Sequence, residues 1–359
     1  MIKRRWANPL LFLSSILLSI LGTELGLRVY HSYSSAGDLV FDEQLGWRVR
    51  ENYSFRGYKQ DASGKKYWVT ISTDGKGFRS FGNPHSHSLK KVFFIGDSFT
   101  QALDASDGNT FYSIIGKEAP VEVFAQGTGG YGTLQEYMIL DKYIDSIQPD
   151  ILVWQYSGND FINNSYELEL QSLTNNNGLR RPYLTASGQI VYAVPKKGRR
   201  HALAIAAQYS RLVYFILSRI DRLNVKMNRA RSVERRIASE GERYQAFRDS
   251  VAVTNELMRR VRSRVSKTTK ILAFSSDDEQ PYYEKLRSIS ATNGIEFVDG
   301  IPQAVLKAER AGLTTRAEDG SHWSELGHEI VAQVLMKFVI GEQITTDSEP
   351  QGRTTSLKN

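Results

Sequence analysis

The sequence predicts an α/β protein in which a parallel sheet is covered by helices on both faces, behind one membrane-crossing helix and a small β-rich lead-in. Three observations predict it. Lys91–Gly96, Val121–Gln126, Pro149–Tyr156 and Lys270–Ser276 are short, almost uninterrupted apolar runs, the pattern of strands buried on both faces of a parallel sheet. Helical stretches alternate with them, which is the rhythm of βαβ units. Ahead of both lies an apolar run near the N-terminus that is long enough to cross a bilayer.

That run follows Lys3, Arg4 and Arg5 and extends from Pro9 to Val29, with no Lys or Arg between Arg5 and Arg28 and one acid, Glu24. About 19 residues at about 1.5 Å each cover roughly 28 Å, close to the thickness of the hydrocarbon layer. The three leading cations predict a cytoplasmic N-terminus, which puts everything after about residue 30 outside the cytoplasm, in the periplasm or at the cell surface. A cleaved signal peptide is the alternative, but Gly22-Thr23-Glu24 is a poor cleavage site, so residues 1–30 are expected to stay as a single-pass signal anchor.

Residues 31–88 read as the lead-in, with strand-like Leu45–Val49 and Tyr67–Ile71 punctuated by Asp74-Gly75 and Gly77. The main domain spans 89–340. Within it Thr133–Ile147 and Tyr244–Val265 are expected helices, and Ser324–Val339 closes the domain. Residues 161–240 break the rhythm and read as an insertion after the third strand, with a loop at Asn175–Gly178 and a helix over His201–Leu223. Residues 341–359 hold little to bury and are expected to form a disordered tail.

Composition narrows the function classes. With 41% hydrophobic and 24% charged residues in 359, the bulk should fold in water, and the lack of cysteine excludes disulfides, thiolate zinc sites and a cysteine nucleophile. Between Lys196 and Arg236 twelve Lys or Arg stand against Asp221 and Glu234, a local excess larger than the +7 of the whole chain. Such a block suits nucleic acid, anionic headgroups or simply water, and charge alone does not choose between them. Beside a membrane anchor it is expected to lie along anionic headgroups, with no nucleic-acid partner.

Chemistry-bearing residues gather where strands end. The first strand runs into Gly96-Asp97-Ser98-Phe99-Thr100, a Gly-preceded turn that presents a serine hydroxyl at the mouth of the sheet; helix capping by Asp97 or Ser98 is the plainer reading of the same letters. After the second comes Gly127-Thr128-Gly129-Gly130-Tyr131-Gly132, whose backbone N–H groups can approach an oxyanion or a phosphate. A dinucleotide site would want it as the first turn, with an acid ending the next strand, and that strand ends Ser157-Gly158-Asn159-Asp160. Asn159 can donate an amide N–H to a developing charge, or stabilise a turn. Asp319-Gly320-Ser321-His322 precedes the last helix, and a carboxylate three residues before a His can fix its tautomer. His85 and His87 lack a third ligand at metal spacing, Asp277–Glu279 is expected to cap a helix from Tyr282, and His328 is expected to pack or face solvent.

In this order the four blocks resemble those of the SGNH, or GDSL, hydrolases, over about residues 90–340 and outside the insertion; Leu45-Gly46-Trp47 and Gly77-Phe78-Arg79 resemble the lead-in of membrane-anchored bacterial members. The resemblance implies a three-layer α/β/α, flavodoxin-like domain with Ser98 as nucleophile, His322 as general base and Asp319 orienting it. The Ser98 and Gly130 N–H groups and the Asn159 amide would form the oxyanion hole. Ala125, where many members have Asn, and Ser157, where Gly is common, depart from the pattern away from the chemistry. The implied activity is a serine esterase for carboxylic esters, acetyl esters included, on a small molecule or an acetylated glycan, with no metal or cofactor required. O-acetyl transfer to a cell-surface polysaccharide, or an idle glycan-binding member, are the alternatives; acyl and alcohol specificity and oligomeric state are not legible.

Overall fold

The computed structural model describes residues 3–34, 37–196, 199–228 and 231–341; the expected tail lies outside them, except for Gly341. Helix α1 (Lys3–Ser34) carries the apolar run, is one continuous helix, and contains over Leu11–Ser34 a segment long and apolar enough to cross a membrane. From Leu11 to Thr23 its side chains are exposed, Phe12 and Leu18 each by about two-thirds (67% and 69%).

The lead-in forms two antiparallel ribbons, β1 (Leu39–Asp42) with β2 (Gly46–Val49) and β3 (Ser54–Gln60) with β4 (Lys66–Ser72), followed by the two-residue β5 (Ser80–Phe81). Next come β6 (Lys90–Gly96), α2 (Ser98–Gln101), α3 (Phe111–Glu118), β7 (Val121–Gly127), α4 (Thr133–Ile147) and β8 (Ile151–Tyr156). The inserted region holds α5 (Asn159–Asn163), α6 (Tyr166–Gln171), the hairpin β9 (Arg181–Leu184) and β10 (Ile190–Ala193), α7 (Arg199–Tyr209), α8 (Arg211–Asn228) and α9 (Val233–Glu240). The chain ends with α10 (Gln245–Arg264), β11 (Lys270–Ser275), α11 (Tyr282–Thr292), β12 (Glu296–Phe297), α12 (Ile301–Arg310) and α13 (Glu325–Ile340).

The central sheet has the order β12-β11-β8-β6-β7-β5, parallel except for β5, which pairs antiparallel with β7. Among the parallel strands this is the flavodoxin arrangement, with the second strand on one side of the first and the remaining three on the other, so that the strand order reverses at β6. Alternate residues of each strand feed two cores. Phe93, Ile95, Leu152 and Trp154 pack under α4 and α10, whereas Val92, Phe94, Val153 and Phe274 pack under α3, α12 and α13. Burial on both faces is why these strands read as apolar runs with no alternation.

Three expectations need correction. The helix expected over His201–Leu223 is two helices, because Ser210 interrupts it and its hydroxyl accepts the Val213 N–H at the start of α8. Asp277 does not cap the helix at Tyr282; it accepts the Glu279 N–H in a local turn, and Pro281 stands at the cap. The β9–β10 hairpin was not foreseen, since its exposed second strand alternates with nothing that looks like a core. His328 packs, buried and stacked on Phe111. His85 and His87 lie in an exposed loop, and no metal-binding group occurs among the described residues.

Candidate functional site

Strand β6 ends at Gly96 because β8 comes too close for a side chain: a Cβ there would sit 2.4 Å from Gln155 Oε1. That oxygen accepts the Asp97 N–H (3.2 Å) and the Thr100 hydroxyl (3.0 Å), clamping the turn that carries Ser98. Asp97 also caps the short α2 through the Phe99 N–H (3.0 Å), so the capping and nucleophile readings of this string are both satisfied. Ser98 opens the helix, where its N–H has no intrahelical acceptor.

The imidazole arrives from the far end of the chain. His322 Nε2 lies 2.7 Å from Ser98 Oγ, and its Nδ1 is hydrogen-bonded to Asp319 Oδ2. Asp319 Oδ1 accepts the N–H groups of Ser321 (2.8 Å) and His322 (3.0 Å), which folds the loop around the carboxylate. Isolated bridges of Asp61 with Ala317 and of Arg316 with Trp323 tie that loop to the lead-in and to itself. Phe99 backs the ring at 5.0 Å. Burial works against charging either partner, yet their mutual interaction wins: Asp319 is held well below the usual carboxylate range, and His322 is raised above the ordinary value of 6.5, with Asp97 and Asp104 adding to the pull.

The glycine turn is held by segments from outside the sheet. Gly130 takes φ +74°, open to glycine without strain. The Gly129 N–H donates to Gln101 Oε1 (2.7 Å), and Gln101 Nε2 in turn donates to buried Asp38 (2.5 Å). Trp47 Nε1 donates to the Gly129 carbonyl (3.0 Å), and Arg181 Nη2 to the Gly130 carbonyl (2.7 Å), with the guanidinium over the Trp47 ring at 4.9 Å. Among the described residues the Gly130 N–H has no protein acceptor. Asn159 stands one step back: Ser157 Oγ donates to Asp97 Oδ2 (2.9 Å) and contacts Asn159 Oδ1, while Asn159 Nδ2 donates to Asn163 Oδ1 (3.1 Å).

A cleft of about 1090 Å³ passes over these groups. Ser98, His322, Asp319, Gly129 and Gly130 line it, and Asn159 does not. Sequence reasoning missed Gln155, Gln101 and Arg181. Gln155 had a signal, being the polar residue inside an apolar strand. Arg181 had none, because its partner Glu169 and its acceptor at Gly130 are brought to it only by the folded insertion.

Fold and rim residues together define a flavodoxin-order α/β/α protein with a hydrogen-bonded Ser–His–Asp row at the carboxyl edge of its sheet. No protein-family model matches the chain and no curated protein is similar to it in sequence. Solved structures resemble it. They include a lipase/acylhydrolase from Enterococcus faecalis (13% identity, 70% of this chain and 96% of that one, TM-score 0.38) and a member of the lipolytic G-D-S-L family from Veillonella parvula (12%, 69% and 97%, 0.38). An acetyl xylan esterase from Geobacillus stearothermophilus is also similar (16%, 72% and 97%, 0.39).

Proposed function

We propose that the chain is an SGNH-type serine esterase, anchored by α1 with its main domain outside the cytoplasm. The observation that carries the reading is the 2.7 Å approach of His322 Nε2 to Ser98 Oγ, with Nδ1 on Asp319. A hydroxyl next to a ring whose other nitrogen faces a carboxylate is an activated nucleophile.

In the first step His322 Nε2 takes the Ser98 proton as Oγ bonds to the ester carbonyl carbon. Charge on the carbonyl oxygen is met by the Ser98 and Gly130 N–H groups, and the Asn159 amide becomes the third donor by turning from Asn163 toward the cleft when substrate binds. The tetrahedral species collapses to an acyl-enzyme as His322 returns the proton to the leaving alcohol. Water, deprotonated by the same nitrogen, then adds to the acyl carbon, and the C–Oγ bond breaks as His322 returns the proton to Ser98 Oγ, releasing the acid. A sugar hydroxyl in place of water would make the protein an O-acetyltransferase, a reading favoured by a cleft roomy enough for an acceptor beside the acyl group.

Ser98→Ala and His322→Ala are expected to lose nearly all p-nitrophenyl acetate turnover, and Ser98→Ala to lose labelling by a fluorophosphonate. Asn159→Ala should raise the barrier by on the order of 3 kcal/mol. Full turnover in Ser98→Ala would end the proposal. An added glycan that collects acetyl groups in preference to water would select transfer over hydrolysis.

A further inference from the structure

Beyond the Ser98–His322 pair the cleft reaches the end of the apolar helix. Its far wall is made by Tyr30 and Ser34, from the last turns of α1, and by Arg211 and Arg222 of α8. How α8 is mounted gives this wall its meaning. Glu24, the one acid in the apolar run, accepts the backbone N–H groups of Arg211 (3.0 Å) and Leu212 (2.9 Å) and the Ser210 hydroxyl (2.9 Å). Arg28 bonds to Glu24 (2.7 Å) and to the Tyr209 carbonyl (2.9 Å). A carboxylate inside a membrane-crossing helix is costly unless paired, and here the start of α8 is part of what pairs it.

Depth follows from helix geometry. Glu24 is thirteen residues beyond Leu11, where the apolar segment begins, so it sits about 20 Å along the axis, roughly two-thirds of the way through the hydrocarbon layer. The α7–α8 pair therefore meets α1 inside the outer leaflet rather than above it. Its surface fits that level: α8 buries no residue, and Tyr209, Ile220, Leu223 and Met227 are exposed at 75%, 53%, 60% and 81%. Arginines share the helix with these apolar side chains, the pairing that suits the boundary between acyl chains and anionic headgroups.

We propose that the cleft takes its substrate sideways from the bilayer, and that this substrate is a membrane-borne amphiphile with a phosphate-bearing headgroup held by Arg211 and Arg222. The inference rests on Ser98 being the nucleophile proposed above. An aliphatic chain would stay in the leaflet against α1 and α8, the phosphate would meet the two arginines at the cleft wall, and the ester would reach Ser98 further in. Free phosphate offers the arginines the same anion but has no chain to hold it at this depth.

The test uses the full-length protein in vesicles of the phosphate-free lipid digalactosyldiacylglycerol, with the rate of fluorophosphonate labelling of Ser98 as the readout. Hexadecyl phosphate in the vesicles should slow labelling, whereas hexadecanol and inorganic phosphate at equal concentration should not. In Arg211→Ala and Arg222→Ala, protection by hexadecyl phosphate, expressed relative to each variant's own rate with hexadecanol, should weaken by about fivefold. Labelling that hexadecyl phosphate leaves unchanged would overturn the proposal, as would equal protection by inorganic phosphate or undiminished protection in both variants. Absence of labelling under every condition would instead remove the nucleophile assignment, so the two failures are told apart.

Discussion

His322 must be neutral to accept the Ser98 proton, and its affinity for protons is raised above the ordinary 6.5 because Asp319 outweighs the effect of burial. Activity is therefore expected to be full at alkaline pH and to fall as pH drops through this raised value. Asp319→Asn removes the charge, so the acid limb of kcat/KM should move to lower pH while the plateau drops by several orders of magnitude. A pH–rate profile of the two proteins checks this, and a limb that stays in place would show that Asp319 does not set the imidazole's affinity. At this scale the site was largely legible. Ser98, Asp319 and His322 are found from short strings, because a turn nucleophile and an Asp-x-x-His pair carry their geometry in local spacing. Asn159 was legible as a residue type but not as a position, since its amide is turned toward Asn163 by contacts within α5.

Among elements, the glycine turn owes its shape to pieces far away in sequence. Arg181 is fully buried, ion-paired to equally buried Glu169 at 2.9 Å, and it also donates to the Gly130 carbonyl. Arg181→Ala should cost on the order of 3 kcal/mol of stability by leaving the Glu169 carboxylate without its cation. It should also lower kcat more than it raises KM, because what moves is the Gly130 N–H and not the groups that first meet substrate. Thermal unfolding together with steady-state kinetics at a temperature well below the transition separates the two effects; unchanged kcat would mean that the turn holds without the clamp. Strands β2, β4, β6, β7, β8 and β11 and the helices α4, α10 and α13 were read from sequence to within a residue or two, since their composition and periodicity are strong. The two-residue β5 and β12 were not, because pairing with a neighbour is all that makes so short a stretch a strand. The break at Ser210 escaped for a similar reason: the groups that stabilise it come from α1.

For the molecule as a whole, the layers around the sheet enclose acids that the proposed reaction does not use. Burial, then repulsion from Asp97, raises the proton affinity of Glu136 well above its ordinary value, and Asp160 is raised by burial, Glu136 and Asp97. A carboxyl that holds its proton more tightly when folded stabilises most below its unfolded pKa, here near 4.5 for Glu136, and that contribution drains away as pH climbs toward the folded value. Glu136→Gln keeps an acceptor for Trp154 Nε1, now 2.6 Å from Glu136 Oε2, without a titrating group. The variant should match the parent in Tm at acid pH and exceed it by a margin that widens toward alkaline pH. Parallel curves from circular-dichroism melts would sink this account. The layer architecture was legible from the apolar runs alone, whereas this acid cluster was not: Glu136 sits on a helix that reads as amphipathic, and only the packed structure turns it inward.

The Ser98–His322 contact joins residues 224 positions apart, and the loop bearing the base is bridged to Asp61 in the lead-in. A growing polypeptide thus exposes its serine long before any partner exists to take the proton. On the proposed mechanism, reactivity is withheld until the loop bearing Asp319 and His322 has been synthesised and has closed against Ser98, so half-made copies would not attack esters around them. Loss of a C-terminal stretch reaching back past that loop would keep every strand of the sheet and remove both the proposed base and its carboxylate.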